Sequence, residues 1–130
     1  LDKFVKKFVI TEATYTHNGN KKKLNFDIKN FQKFKNKIDY IIVDKPPTDI
    51  LAIDSKDSKH SKGEKLILNG MSRDYFQREN LERGLKNLSE DDLILISDLD
   101  EIPNLKNLNF AEIKNNIVIF EQKIFYYKYV

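Results

Sequence analysis

Leu93-Ile94-Leu95-Ile96 is an unbroken apolar run that leads through Ser97 into Asp98-Leu99-Asp100-Glu101. A run of this kind suits a strand covered on both faces, as in the interior of a parallel sheet. Ligands of open α/β sheets bind outside the carboxyl ends of the strands, and the acidic residues fall at that end. Asp98 and Asp100, one residue apart on a chain leaving a strand, can turn their oxygens towards one hard cation. Mg²⁺ or Mn²⁺ would take those oxygens together with the phosphates of a bound nucleotide. A bare Asp-x-Asp is common in surface turns. What sets this one apart is the apolar lead-in and the added Glu101, because clustered like charges repel unless a cation offsets them.

The rest of the chain supplies partners for such a strand. Residues 7–14 hold the β-branched run Phe8-Val9-Ile10 and predict a strand that delivers Glu12 at its carboxyl edge. Thr16-His17-Asn18-Gly19-Asn20 follows with turn chemistry, since Asn-Gly tolerates positive φ. Ile28, Phe31, Phe34 and Ile38 recur at helical spacing and predict an amphipathic helix, capped by Asn25 or Asp27. Residues 39–44 predict a second strand, stopped by Pro46-Pro47. Residues 48–70 are the least ordered-looking part, with 54–63 polar, near-repetitive and without periodicity, and read as a mobile surface loop.

Ser72 can cap a long helix reaching about Leu88, with Met71, Tyr75, Leu81, Leu85 and Leu88 on one stripe. Arg78 falls inside that stripe. A guanidinium on a buried face needs a partner and suits carboxylates or phosphates. Two readings stand: an Arg78–Glu82 pair at i,i+4, or a reach towards the acidic cluster or a nucleotide. Pro103 begins a further helix to about Asn115, and residues 117–120 and 124–129 predict closing strands. The order β-α-β-loop-α-β-α-β predicts an α/β fold: one domain over residues 1–130, its sheet mostly parallel and covered on both sides.

Composition narrows the function classes. With 23 basic and 20 acidic side chains the net charge is only +3. The lysines are scattered over several faces without an RNA-binding aromatic pattern, so nucleic acid is not the expected partner. The absence of cysteine excludes disulfides, zinc-thiolate sites and thiol catalysis together. No apolar stretch approaches the roughly 20 residues of a membrane span. His17 lies in the turn and His60 in the polar segment, and neither belongs to a metal-ligand spacing. The chain opens at Leu1 and stops just after the strand-like Ile124-Phe125-Tyr126-Tyr127, which suggests a piece of a longer protein, incomplete at both ends.

Several ordered motifs add a resemblance. Phe8-Val9-Ile10-Thr11-Glu12-Ala13, Thr16-His17-Asn18-Gly19 and Lys23-Leu24-Asn25-Phe26 resemble the opening of glycosyltransferase family 17. Tyr75-Phe76-Gln77-Arg78-Glu79-Asn80, Gly84-Leu85 and Asp91-Asp92 continue the likeness, as does the run from Ser97 to Pro103. The family includes the β-1,4-mannosyl-glycoprotein 4-β-N-acetylglucosaminyltransferases. The resemblance implies a GT-A-type, Rossmann-like catalytic domain that moves a sugar from a nucleotide sugar, UDP-N-acetylglucosamine, to a glycan acceptor with inversion. It implies that Asp98 and Asp100 hold the metal–diphosphate unit, with Mn²⁺ or Mg²⁺, and that Glu12, Arg78 and Asp98 contact the nucleotide sugar. The family's further strand and helix before Leu1, which would form part of the nucleotide pocket, and the half expected to supply the catalytic base and much of the acceptor site, lie outside this chain. The segment alone is therefore expected to be inactive. The family's tryptophan before the Arg-bearing helix is missing, with Met71 or Ser72 near its place.

Two other readings compete. A haloacid-dehalogenase-like phosphatase also sets Asp-x-Asp after an apolar strand, but it wants Thr or Val where Ile102 stands. A glycan-binding domain could keep the fold without the chemistry. The Lys/Asn/Ile bias without cysteine points to a microbial cytoplasm, where a eukaryotic relative would work in the Golgi lumen.

Overall fold

A computed structural model describes residues 1–98, 100–113 and 117–121. The chain divides into two compact units: Val5–Leu88, and a second made of Leu1–Phe4 with Ser89–Val130.

The unit Val5–Leu88 is built on two parallel strands, β1 (Phe8–Ala13) and β2 (Ile38–Val43), paired from Phe8 opposite Ile38 to Ala13 opposite Val43. Both lie where the β-branched runs predict them. The connection is the 3₁₀ helix Ile28–Lys37, where the apolar spacing predicts an α-helix. Asp27 caps it by accepting from the Lys29 N–H at 2.9 Å, and Phe31 breaks helical geometry (φ −123°, ψ 33°). The Phe31 ring there stacks on Phe26, centroids 5.1 Å apart. Tertiary packing thus sets the local geometry over helical propensity.

Beyond Pro46-Pro47 the main helix, α1 (Lys59–Glu79), starts well upstream of the expected Ser72 cap. Its cap is Ser58, whose hydroxyl accepts from the Ser61 N–H at 3.1 Å. The part of the expected loop from Lys59 onward is therefore helical. It carries no apolar stripe because its apolar residues Leu66, Ile67 and Leu68 are exposed and the residue it buries is the polar Asn69, whereas periodicity reports buried apolar faces. A 3₁₀ turn, Asn80–Gly84, follows, and the expected continuation of the helix to Leu88 is not formed. Ala13, Tyr15 and Val43 form the core, with Phe76 of α1 packed against them. Asn69, 4% exposed, locks α1 to the preceding segment. Its amide accepts from the Leu51 N–H at 2.7 Å and donates to the Leu51 carbonyl at 2.9 Å.

In the other unit the expected strand at Leu93–Ile96 does not form; these side chains are 40–69% exposed. An apolar run needs a partner strand to satisfy its backbone, and none pairs with it among the described residues. Two 3₁₀ turns, Leu105–Asn107 and Phe110–Glu112, stand where one helix was expected. Residues 117–120 carry no strand, and the expected strand 124–129 lies outside the described residues. The architecture is thus mixed α/β with a two-stranded parallel sheet. Among the described residues, no helix is long and apolar enough to cross a membrane.

Candidate functional site

The carboxyl ends of β1 and β2 carry the segments Thr14–Asn20 and Asp44–Asp49. Thr14 N–H extends the ladder to the Val43 carbonyl at 3.0 Å. The chain then doubles back: Thr16 N–H donates to the Asn20 carbonyl and Gly19 N–H to the Thr16 carbonyl, both at 2.8 Å. Gly19 sits at φ 82°, in the left-handed region that favours glycine.

Arg73 of α1 clamps this turn. Its Nη1 donates to the His17 carbonyl at 2.6 Å. A Cβ on Gly19 would lie 2.7 Å from Arg73 Nη2, the end of a side chain that can shift, so it is the φ that favours glycine there. Arg73 Nε is buried without a hydrogen-bond partner. His17 Nε2 stands 4.0 Å from Asp74. The helix arginine at the sheet edge is therefore Arg73. Arg78 is 48% exposed and forms an ion pair with Asp74 at 3.2 Å, so the buried face expected for it is corrected.

Glu12 lies on β1, within the sheet's carboxyl half, and its carboxylate is saturated by this chain. It accepts from Lys22 Nζ at 2.6 Å, Asn25 N–H at 2.7 Å, Phe26 N–H at 3.0 Å and the Tyr40 hydroxyl at 2.7 Å. Burial alone would push the Glu12 carboxyl up. The Lys22 ammonium and the three further donors outweigh burial and bring it down to about 2. The same contact acts in reverse on Tyr40: burial, the hydrogen bond to Glu12 and the carboxylate's charge push the phenol up to about 12. Phe26, held through its N–H, lays its ring 4.9 Å from that of Tyr40. Glu12 thus fastens the 22–26 segment across the sheet.

Sequence reasoning places Glu12 but misses Lys22, Tyr40 and Arg73. Lys22 hides in a run of three lysines. Tyr40 could have been found by side-chain parity, since the register sets it opposite Ile10, two residues from Glu12 on the same face.

Asp98 and Asp100 belong to the other unit, and both are exposed; Leu99 between them lies outside the described residues. The turn is closed twice: Glu101 N–H donates to the Asp98 carbonyl at 3.1 Å, and Asp98 N–H to the Glu101 carboxylate at 3.4 Å. Glu101 therefore folds back to close the turn that carries the two aspartates. No group of three or more His, Cys, Asp or Glu side chains that could hold a metal occurs among the described residues.

Compared with known proteins, residues 1–129 match the model of glycosyltransferase family 17. A search of curated proteins returned no match, and neither did a search of solved structures.

Proposed function

The chain belongs to glycosyltransferase family 17, and from that premise we propose that it acts in a metal-assisted, GT-A-type sugar transferase. It moves a sugar, N-acetylglucosamine, from a UDP-sugar to a glycan acceptor with inversion. The observation that carries this reading is the family match over residues 1–129, within which Asp98 and Asp100 stand exposed on one closed turn. Composition favours a microbial cytoplasm as the setting.

The donor set fits a hard divalent cation. Carboxylate oxygens are the ligands that Mn²⁺ and Mg²⁺ take, and a two-carboxylate site leaves room for phosphate oxygens and water. Asp98 and Asp100 would hold the cation. When bound, it offsets the charge that gathers on the departing diphosphate. Transfer breaks the bond between the anomeric carbon and the diphosphate oxygen. A bond to the acceptor oxygen forms, and the hydroxyl proton passes to a base.

Glu12 is ill-suited to be that base. A general base works best with a pKa near the operating pH, and Glu12 is held at about 2 with its oxygens engaged. Its part is to position the 22–26 segment, so any contact with the nucleotide sugar runs through that segment. Arg78, half-exposed on α1, is proposed to contact nucleotide or sugar. Calorimetric titration of UDP-N-acetylglucosamine with Mn²⁺ tests the reading. Saturable binding is expected in the parent chain and its loss in Asp100→Ala, whereas binding indifferent to a chelator would overturn it.

A further inference from the structure

We propose that the cavity between the Pro46–Asp49 segment and α1 binds a neutral pyranose and seats the glycan acceptor; this rests on the transferase reading. The cavity measures about 350 Å³, and its walls include Pro46, Pro47, Asp49, Ser72, Tyr75 and Glu79. That volume falls at the small end of ligand pockets, which run from roughly 300 to 1,000 Å³. It opens just beyond β2, on the edge of a parallel sheet where ligands bind.

The lining matches a sugar in three ways. Tyr75 is 59% exposed, and among the described residues its hydroxyl has no hydrogen-bond partner. An aromatic ring presented in a cavity offers a flat apolar face to the C–H face of a pyranose, and its hydroxyl offers a polar handle. Asp49 and Glu79 add acceptors for sugar hydroxyls. Asp49 is fixed in place, its Oδ1 accepting from the Ser72 hydroxyl at 2.5 Å. Glu79 has no hydrogen-bond or ion-pair partner among the described residues.

The lining also says what does not bind. It includes no Lys, Arg or His, although the chain carries 23 Lys and Arg residues. Two carboxylates without a cation repel a diphosphate, so the cavity is not where a nucleotide's phosphates lie. Part of its wall is preorganised. Pro46 and Pro47 fix their own φ angles, and Phe76 beneath is packed on the Ala13–Tyr15–Val43 core. These fixed positions lower the ordering cost of binding, which then falls on the Tyr75 and Glu79 side chains. The rival occupant of a carboxylate-bearing pocket with an aromatic wall is a basic peptide segment.

Saturation-transfer NMR on the full 130-residue chain tests the proposal, with methyl α-mannopyranoside and methyl β-glucopyranoside as probes. At least one pyranoside should bind saturably, about tenfold more weakly to Tyr75→Ala and within about threefold of the parent for Tyr75→Phe. Glu79→Gln should weaken binding without abolishing it. Circular dichroism of each variant secures the fold. Neither pyranoside binding, or binding unchanged in Tyr75→Ala, would overturn the proposal, as would tetralysine displacing the sugar. UDP-N-acetylglucosamine with Mn²⁺ is titrated into the same sample. Binding of the nucleotide sugar without the pyranosides defeats the cavity alone; the converse defeats the transferase reading and the cavity's acceptor role, leaving a sugar site.

Discussion

Gly84 is pressed against Val9: a Cβ built on Gly84 would lie 2.4 and 2.8 Å from the two Val9 methyls, and 3.2 Å from Ile41 Cδ1. The glycine lets the turn after α1 settle directly on both strands. Lys7 Nζ reaches the Gly84 carbonyl at 3.3 Å, and Arg83 Nη1 reaches the Ile42 carbonyl at 3.3 Å. Those contacts hold the turn where it is, so a methyl group there has to displace a strand side chain. Gly84→Ala should cost about 1–3 kcal/mol, the usual range for overpacking. Urea unfolding should show a lower midpoint at unchanged slope. A stabilised Gly84→Ala would mean that the turn sits farther from the sheet.

Glu12 makes stability depend on pH. Its pKa falls from 4.5 in the unfolded chain to about 2 in the fold, so between those values the unfolded state binds more protons. The contribution is complete above about pH 4.5 and is lost as pH falls through about 2. The shift corresponds to roughly 3 kcal/mol at neutral pH. Glu12→Gln should therefore lose several kcal/mol at pH 7 and flatten the acid limb of the stability curve. Urea titrations at several pH values below 5 would show whether the parent and variant curves converge.

The strands were legible because their apolar runs are at least partly buried along most of their length, Ile42 excepted, and burial is what such runs encode. Their parallel pairing followed from the crossover between them. The start of α1 was not legible, because Ser58 and Ser72 are chemically equal caps and the first turns of the helix lie in water. The misplaced arginine has a geometric cause. Arg73 and Arg78 are five positions apart, about 140° around a helix with 3.6 residues per turn. A stripe drawn through Arg78 turns Arg73 away, and the structure clamps Arg73 on the His17 carbonyl. Glu12 was found at its strand, but its role was hidden because its donors come from four other positions. Leu93–Ile96 shows the opposite limit: apolar sequence states a capacity for burial, and partners decide whether it is realised.

Asn69 is the buried polar group on which the docking of α1 depends. Its amide exchanges two hydrogen bonds with the backbone of Leu51, as a neighbouring strand would. Asn69→Leu keeps the volume but leaves that N–H and carbonyl unpaired, a loss of about 2–4 kcal/mol. Asn69→Asp keeps the acceptor, but near neutral pH its buried charge faces the Leu51 carbonyl, so its cost should be large there and shrink as acid protonates the carboxyl into a donor. Amide hydrogen exchange offers a local readout: Leu51 should lose protection in Asn69→Leu before the strand amides do. Equal protection in parent and variant would assign the docking to other contacts.

Asp98 and Asp100 are exposed, so their removal should leave the fold intact while removing metal dependence. Asp98→Asn and Asp100→Asn should each stay within about 0.5 kcal/mol of the parent in unfolding free energy without metal, as surface substitutions do. Added Mn²⁺ and UDP-N-acetylglucosamine should raise the melting temperature of the parent. At a free-ligand concentration one hundred times the dissociation constant, linkage stabilises by about 2.7 kcal/mol. A chelator should abolish that increment, and neither aspartate variant should show it. The nucleotide sugar without metal should give little, because nothing then offsets its charge against two carboxylates. An increment that survives in both variants would place the cation elsewhere and detach the acidic turn from the transfer chemistry.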